Sequence, residues 1–371
     1  MKVAILHPWF LELGGAERVV DALAQMYPNA DFFALAADPS MLPPHVDKGR
    51  LHTNPFLNKL LTSRLRTRRA SFGILFPMAV EQMDLRPYDL VLGSCPPMMG
   101  VNVNQDAMHI CYCHTPQRAW WHLYAERQSQ LGWVARQAFV GCSLFVRMWE
   151  FSAMQRADHI VSNSNYVASR IFKYFRRQST VIYPPVDTAQ GYLSESPGDY
   201  FLSVSRLDVD KRLDLLIHAC NSLKRRLLIV GTGRAERQLK AIAGPTVEFL
   251  GHVQDTELRE LYANCRAFLF AADEDFGIVS VEAQSYGRPV IAYGYGGSLE
   301  TARVNDPGER ADTGVFFSKQ TTESVVDGIL RFEAREEIFI PAEIQRYARQ
   351  FDTSVFKEKM RGFVDTAVKE R

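Results

Sequence analysis

The sequence is poor in cysteine and has no paired metal-binding cysteines. Its 371 residues include six cysteines, namely Cys95, Cys111, Cys113, Cys142, Cys220 and Cys265. They are too sparse for a disulfide scaffold, and none forms the CxxC pairs of a zinc site. Cys111 and Cys113 alternate along an apolar run that ends at His114, a pattern that favours core positions over metal ligands. We therefore predict reduced cysteines and no metal site.

Long apolar runs and low-complexity tracts are also lacking. The apolar run VAIL after Lys2 is too short for a signal peptide, and no uncharged stretch is long enough to span a bilayer. Hydrophobic residues make up 47% of the chain and charged residues 23%, which is typical of a globular protein. These features predict a folded cytoplasmic protein.

The net charge is only +1, but it is unevenly distributed. Residues 1–185 carry 19 lysines and arginines against 13 acidic residues, a net charge of +6, whereas the remainder carries −5. The densest basic run is interleaved with leucines and phenylalanine and comprises Arg64, Arg66, Arg68 and Arg69. An anionic partner, such as a membrane surface, is expected to meet this half.

Short β-rich runs alternate with helix-length segments twice along the chain. The alternation predicts two α/β domains, each with a doubly wound parallel sheet. We place the first domain at residues 1–187, a linker at 188–198, and the second domain at 199–352. A last helix at 353–371 could pack on either domain. Ligands are expected at the carboxyl ends of the strands, facing a central cleft.

Glycine-rich turns follow two of the predicted strands. Gly14 and Gly15 precede a helix, so a phosphate or sugar could approach the helix amino terminus; alternatively, the turn simply requires positive φ. Neither LGGAER nor GTGRAE provides GxGxxG, which disfavours a dinucleotide site.

The segment SRLDVDKR carries two cations near one strand end. Arg206 ends a strand and Lys211 begins the next helix, so both could reach one pyrophosphate. Asp208 and Asp210 spell DxD, which holds a divalent metal in some enzymes. Because the flanking cations would compete with a metal for phosphates, we predict no metal here.

Two glutamates flank a strand-to-helix turn in EDFGIVSVE. Glu274 lies in the loop and Glu282 about 7 Å along the helix, so they can reach different parts of one extended ligand. The first N–H groups of this helix point at an incoming phosphate. The residues of this turn assigned to the ligand are Phe276, Gly277, Ile278 and Val279.

His114 closes an apolar strand in CYCHTPQRAWW and is followed by Pro116. A histidine at this position can be structural or functional. Its expected location at the carboxyl end of a strand, facing the cleft, makes it a candidate catalytic residue.

Together these segments resemble the retaining GT-B glycosyltransferases of family 4, and most closely the O-antigen mannosyltransferase branch. The resemblance covers nearly the whole length, through GGAERV, HICYCHTP, VSNSNYVASRI, VSRLDVDKR, IVGTG, FLGHV and PVIAYGYGGSLET. EDFGIVSVE matches the E-x7-E pattern of that family. The resemblance implies two Rossmann-like domains facing a cleft.

The same resemblance implies roles for individual residues. Arg206 and Lys211 would bind the donor pyrophosphate, Glu282 the ribose, and Glu274 the transferred sugar. His114 would contact the distal hydroxyl of the sugar or the reacting centre. The backbone of Gly251, His252 and Val253 would hold the base. Pro8 departs from the family, which usually has an acidic residue there, and this puts acceptor contacts at that rim in doubt.

The resemblance implies front-face substitution with retention of configuration, without metal or cofactor. The expected donor is GDP-mannose, with a UDP-hexose such as UDP-glucose as the alternative. The acceptor is expected to be a glycan or lipid-linked glycan in surface polysaccharide synthesis, with the basic run docking on anionic lipid at the inner face of the membrane. Two alternative functions are a nucleotide-sugar epimerase and a non-catalytic sugar-nucleotide sensor.

Overall fold

The computed structural model describes residues 1–62, 75–195, 197–304 and 312–370. The chain divides into two compact units. The first comprises Met1–Pro185 together with Phe356–Arg371, and the second is Val186–Val355. Residues 188–198, predicted as a linker, are therefore part of the second unit: Thr188 is buried and donates a 2.6 Å hydrogen bond to Asp352.

The first unit is a parallel sheet with helices on both faces. Within its described residues the sheet has seven strands in the order β3-β2-β1-β4-β5-β6-β7. The strands are β1 Val3–Phe10, β2 Asp31–Ala37, β3 Leu51–Thr53, β4 Leu90–Gly93, β5 Met108–Cys113, β6 His159–Ser162 and β7 Thr180–Val181. The helices are α1 Gly15–Met26, α2 Pro55–Thr62, α3 Phe76–Glu81, α4 Tyr124–Ser129, α5 Trp133–Arg156, α6 Asn165–Phe175 and α14 Thr353–Lys369.

The strands of this sheet are almost continuously apolar because helices cover both faces. Helix α1 buries Val19, Val20 and Leu23 in the core on one face. Helix α14, whose packing partner the sequence left open, contributes Phe356 and Met360 to that same core. The carboxyl-terminal helix thus completes the first unit although it follows the second unit along the chain.

The second unit repeats this architecture. Over its described residues the sheet has six parallel strands in the order β10-β9-β8-β11-β12-β13. They are β8 Phe201–Val204, β9 Leu227–Val230, β10 Val247–Gly251, β11 Ala267–Phe270, β12 Val290–Tyr293 and β13 Gly314–Phe317. The helices are α7 Leu213–Leu223, α8 Glu236–Ile242, α9 Asp255–Asn264, α10 Ile278–Ser285, α11 Ser298–Thr301, α12 Thr322–Glu333 and α13 Pro341–Ala348.

Strand order reverses once in each sheet, between β1 and β4 and between β8 and β11. This is the order of a doubly wound Rossmann-like sheet, and it confirms the predicted fold class of two such domains. Ligands of these sheets bind beyond the carboxyl ends of the strands at the reversal. The segments that follow β1, β4, β8 and β11 are therefore where a site is expected. None of the helices within the described ranges has the length and apolar character needed to cross a bilayer.

Candidate functional site

The loop after β8 holds both predicted phosphate-binding cations. Arg206 is exposed two residues beyond the strand. Lys211 was expected to begin the next helix, but it ends a short 3-10 turn, Val209–Lys211, before α7. The reason is that Arg212 adopts left-handed backbone angles, with φ of 51°, and separates the turn from the helix.

Two glycines of the GTG segment hold this loop against the end of the sheet. Gly231 has φ of 128°, and a Cβ atom there would lie 1.9 Å from the backbone oxygen of Ser205. A Cβ at Gly233 would lie 2.5 Å from the oxygen of Leu207. In addition, the Leu207 N–H donates a 2.9 Å hydrogen bond to the oxygen of Thr232. GTG therefore fixes the loop that carries Arg206.

Lys211 forms ion pairs with two carboxylates. Its Nζ donates to Glu274 and lies 3.3 Å from Asp210, and its side chain is only 11% exposed. Burial would lower the pKa of Lys211, but the charges of Glu274 and Asp210 outweigh burial and the pKa is raised. Arg206 lies close enough to oppose that rise. The positively charged Arg206 and Lys211 therefore lie close to Glu274, at the point where the strand order of the second sheet reverses.

The EDFG turn begins α10 as the sequence predicts. Gly277 is the amino-terminal cap, with φ of 91°, so the turn requires glycine or accepts strain. The first N–H groups of the helix belong to Ile278 and Val279. Phe276 was assigned to the ligand, but it is 3% exposed and its ring packs edge-on against Phe351 at 5.5 Å. Its side chain therefore anchors the turn in the core.

Glu282 is the fifth residue of α10, and its carboxylate is oriented by a tyrosine. The Tyr262 hydroxyl donates a 2.8 Å hydrogen bond to Oε2 of Glu282. Tyr262 is buried and its ring stacks on Tyr286 at 5.8 Å. Sequence reasoning missed Tyr262, because it lies on α9 and no motif links the two helices.

The segment assigned to the base follows β10. Gly251 has φ of 68°, and its oxygen accepts a 2.7 Å hydrogen bond from the Gly231 N–H. His252 is exposed, whereas Val253 is buried in the core. His252 is thus the most exposed residue of this segment.

In the first unit, His114 is the end of a chain of hydrogen bonds that includes Ser94, directly after β4, and His7, within β1; His114 itself directly follows β5. Its Nε2 lies 2.9 Å from the Ser94 hydroxyl, which lies 3.0 Å from Nδ1 of His7. The Nε2 of His7 lies 3.2 Å from Oε1 of Glu17. His7, Ser94 and Glu17 are all buried. Sequence reasoning found only His114 of these four residues.

The charge states of this network follow from its burial. Burial, together with the nearby His7, lowers the pKa of His114 to about 3, so the imidazole is neutral near pH 7. Burial would raise the pKa of Glu17, but the hydrogen bond and charge of His7 outweigh it and the pKa is lowered. Glu17 is therefore an ionised acceptor for the Nε2–H of His7.

Gly14 and Gly15 lie beside this network, in the first unit. Gly14 has an extended backbone, with φ of −150°, so the explanation that the turn requires positive φ is wrong. A Cβ at Gly14 would lie 3.2 Å from Oε2 of Glu17. Gly15 is the first residue of α1. A side chain at position 14 would therefore crowd the Glu17 carboxylate.

The structure therefore gathers the predicted residues into two groups, one in each unit. Arg206, Lys211 and Glu274 share the site of the second unit with the start of α10, and Glu282 is held by Tyr262. His114, Gly14 and Gly15 belong to the first unit. The six cysteines are free thiols, and Cys111 and Cys113 are core residues as predicted. The basic run at Arg64, Arg66, Arg68 and Arg69 lies outside the described residues.

Comparison with known families divides the chain in the same way. Residues 13–190 match the family described as Glycosyltransferase Family 4, and residues 189–351 match the family described as Glycosyl transferases group 1. The alpha-1,3/1,6-mannosyltransferase ALG2 of Kluyveromyces lactis is 28% identical, over 81% of this chain and 71% of its own length. ALG2 of Saccharomyces cerevisiae is 26% identical over 96% of this chain and 84% of its own length.

Solved structures share the fold. Sucrose-phosphate synthase from Thermosynechococcus elongatus aligns over 100% of both chains with a TM-score of 0.73 at 18% identity. Anabaena HepE in complex with UDP and glucose aligns over 98% of this chain and 99% of its own, with a TM-score of 0.70 at 18% identity. The fold and the two family matches define a GT-B glycosyltransferase. The two matches, one over each half of the chain, together span residues 13–351.

Proposed function

We propose that this protein is a retaining mannosyltransferase that transfers mannose from GDP-mannose to a glycan or lipid-linked glycan. The observation that carries the proposal is the placement of Lys211 between Glu274 and Asp210 with Arg206 nearby. This group offers two cations for a diphosphate and a carboxylate for a sugar hydroxyl. The names of the mannosyltransferase relatives support mannose as the transferred sugar.

The second unit binds the donor in this proposal. Arg206 and Lys211 contact the diphosphate together with the first N–H groups of α10, where the helix dipole favours negative charge. Glu282, held by Tyr262, accepts hydrogen bonds from the ribose hydroxyls. Glu274 accepts one from the C3 hydroxyl of the sugar, which mannose and glucose both present equatorially. The backbone at Gly251, His252 and Val253 holds the base.

Catalysis then rests on electrostatics. Negative charge grows on the departing phosphate in the transition state, and Arg206 and Lys211 are already in position to stabilise it. The acceptor attacks from the face that the phosphate leaves, and a phosphate oxygen takes the proton of the attacking hydroxyl. Configuration at the anomeric carbon is thereby retained.

The first unit binds the acceptor and contributes His114. A neutral imidazole can donate or accept a hydrogen bond with a sugar hydroxyl without adding positive charge near the reacting carbon. The low pKa of His114, caused by burial and by His7, suits that role. The acceptor belongs to surface polysaccharide synthesis of the O-antigen kind in this proposal.

No metal ion is required in this proposal, because lysine and arginine supply the positive charge that a divalent ion provides elsewhere. Asp210, one of the two DxD carboxylates, is 3.3 Å from Lys211 and forms an ion pair with it. Turnover should therefore survive excess EDTA. Loss of activity on chelation, with recovery on adding magnesium or manganese, would assign Asp208 and Asp210 to a metal.

The second donor to consider is a UDP-hexose such as UDP-glucose. The segment proposed to hold the base offers backbone groups and the exposed His252, and this gives little basis for separating guanine from uracil. Glu274 suits either sugar.

The direct test is turnover of GDP-mannose and UDP-glucose with lipid-linked glycan acceptors, with the product anomer assigned by NMR. We expect an α-mannoside from GDP-mannose. A β-product would overturn retention, and free mannose or an epimerised nucleotide sugar as the only product would overturn transfer.

A further inference from the structure

Helix α5 of the first unit carries large apolar side chains that face solvent. Trp133 is 76% exposed, Leu144 64% and Met148 65%. Val140 and Phe151 are exposed as well. On most surface helices the outward positions are polar, so a row of this kind requires an explanation.

These five residues form one stripe, which we call the α5 stripe: Trp133, Val140, Leu144, Met148 and Phe151. They are separated by 7, 4, 4 and 3 positions, the spacing of a single helix face. From Trp133 to Phe151 the stripe is about 27 Å long at 1.5 Å per residue.

The opposite face of α5 is fixed in the core of the first unit. Val146, Glu150, Ala153 and Met154 are buried, and the last two belong to its apolar core. The helix therefore cannot rotate to hide the stripe without removing Glu150 and the core side chains from their partners. Glu150, for example, accepts a 2.6 Å hydrogen bond from Nε1 of Trp121 and a 3.2 Å hydrogen bond from the Gln117 N–H.

The charges beside the stripe are mainly positive. Residues 126–149 contain Arg127, Arg136 and Arg147 and one acidic residue, the exposed Glu126; Arg147 donates a hydrogen bond to the Trp120 oxygen. Arg127 and Arg136 are exposed. A second copy of this chain would bring the same arginines opposite one another, which is unfavourable, whereas an anionic surface is complementary to them. Trp133 at one end of the stripe is the type of side chain enriched at the membrane interface.

We infer that the α5 stripe docks on an anionic lipid bilayer, with Trp133, Leu144 and Met148 entering the headgroup region. The helix lies along the surface, with its other face held by the protein, and does not span the bilayer. The inference goes beyond the proposed function and does not depend on it.

The test is co-sedimentation with vesicles of equimolar phosphatidylcholine and phosphatidylglycerol. A stripe variant combines Trp133→Ser, Leu144→Gln and Met148→Gln. The matched control combines Leu330→Gln, Ile340→Gln and Val368→Gln, which change exposed apolar residues elsewhere. We expect the stripe variant to bind at least about tenfold more weakly and the control to bind as the wild type does. Wild-type binding should fall as salt is raised.

Undiminished binding of the stripe variant, or no binding of the wild type, overturns the inference. A dimer of the wild type in sedimentation velocity that the stripe variant abolishes would assign the stripe to a second copy instead. Should the triple variant fail to fold, vesicles with brominated acyl chains give a second measurement. They should quench the tryptophan emission of the wild type clearly more than that of Trp133→Phe; equal quenching would contradict insertion of Trp133.

Discussion

The hydroxyl oxygen of Ser94 lies 2.9 Å from Nε2 of His114, and this contact connects the candidate catalytic histidine to a buried ionised glutamate. Glu17 accepts the Nε2–H of His7. If His7 is neutral, its Nδ1 accepts from Ser94, and Ser94 accepts from His114. The Nδ1 of His114 is then a hydrogen-bond acceptor. If His7 carries a second proton, every bond beyond it reverses and Nδ1 of His114 becomes a donor.

We expect Ser94→Ala to lower kcat about 5- to 30-fold, the equivalent of one hydrogen bond of roughly 1–2 kcal/mol. KM for the donor should change little, because the proposed diphosphate contacts lie on the second unit. Steady-state kinetics of the purified variant provide the measurement. Ser143→Ala is the control: Ser143 is also buried and donates to the Val140 oxygen, so its removal should leave kcat unchanged. Equal losses in the two variants would indicate a general packing effect.

Removal of Lys211 should cost more activity than removal of Arg206. Each charge-assisted bond to phosphate contributes about 1.5–3 kcal/mol, or roughly 10- to 150-fold in kcat/KM. Lys211→Ala also leaves Glu274 without its cation beside the phosphates, whereas Arg206 is exposed. Lys240→Ala, which breaks an exposed ion pair with Glu236, should behave as the wild type. Near-normal kinetics of both Lys211→Ala and Arg206→Ala would contradict the assignment of these two residues to the diphosphate.

Tyr262→Phe should weaken nucleotide binding by about 2- to 13-fold, because it removes a hydrogen bond worth roughly 0.5–1.5 kcal/mol from Glu282. The measurement is calorimetric titration with GDP. In a Glu282→Ala background the same tyrosine substitution should have no further effect, since the two act on one contact. Fully additive losses would mean that Tyr262 acts independently of Glu282.

The stability of the protein should depend on pH through Glu150. The pKa of this carboxyl is about 7, compared with an ordinary value of 4.5. Burial raises it, and this effect outweighs the hydrogen bonds from Trp121 and Gln117, which lower it. Between those values the folded protein holds a proton that the unfolded chain releases, so the free energy of unfolding falls as pH rises from 4.5 to 7. The free energy of unfolding falls by at most about 3 kcal/mol over this range.

Glu150→Gln should flatten that part of the pH profile, because the amide does not titrate. Urea unfolding of wild type and variant across the window gives the comparison, and the difference between them cancels the contribution of other groups. The same slope in both proteins would show that Glu150 is not the group responsible.

The sequence predicted most of the fold because apolar periodicity and parallel-strand order are local signals. The residue pattern between Trp133 and Gln155 predicts a long helix, and the structure has α5 at Trp133–Arg156. Helix α14 was predicted at 353–371 and spans Thr353–Lys369. Its place in the first unit could not be read from the sequence, because packing against α1 and Tyr112 depends on residues far away along the chain.

Partners of the site residues were harder to predict for the same reason. Ser94 and Tyr262 each act on a residue 20 positions away. No motif marks either pair, since parallel strands and crossover helices bring them together. Lys211 was misplaced by two residues because nothing in the sequence indicates that Arg212 adopts left-handed angles. For Gly14 the sequence left two alternatives, approach of a phosphate or sugar and a need for positive φ; the backbone is extended, which excludes the second, and the contact with the Glu17 carboxylate was not predicted.

The central claim, a GDP-sugar donor bound by the second unit, is tested most directly by calorimetric titration of the purified protein with GDP and UDP. We expect GDP to bind at least about tenfold more tightly, a difference of about 1.4 kcal/mol. Lys211→Ala should weaken binding of both nucleotides, because the diphosphate is common to them. Tighter binding of UDP would contradict GDP-mannose as the donor, and binding of both nucleotides unaffected by Lys211→Ala would contradict the diphosphate site itself.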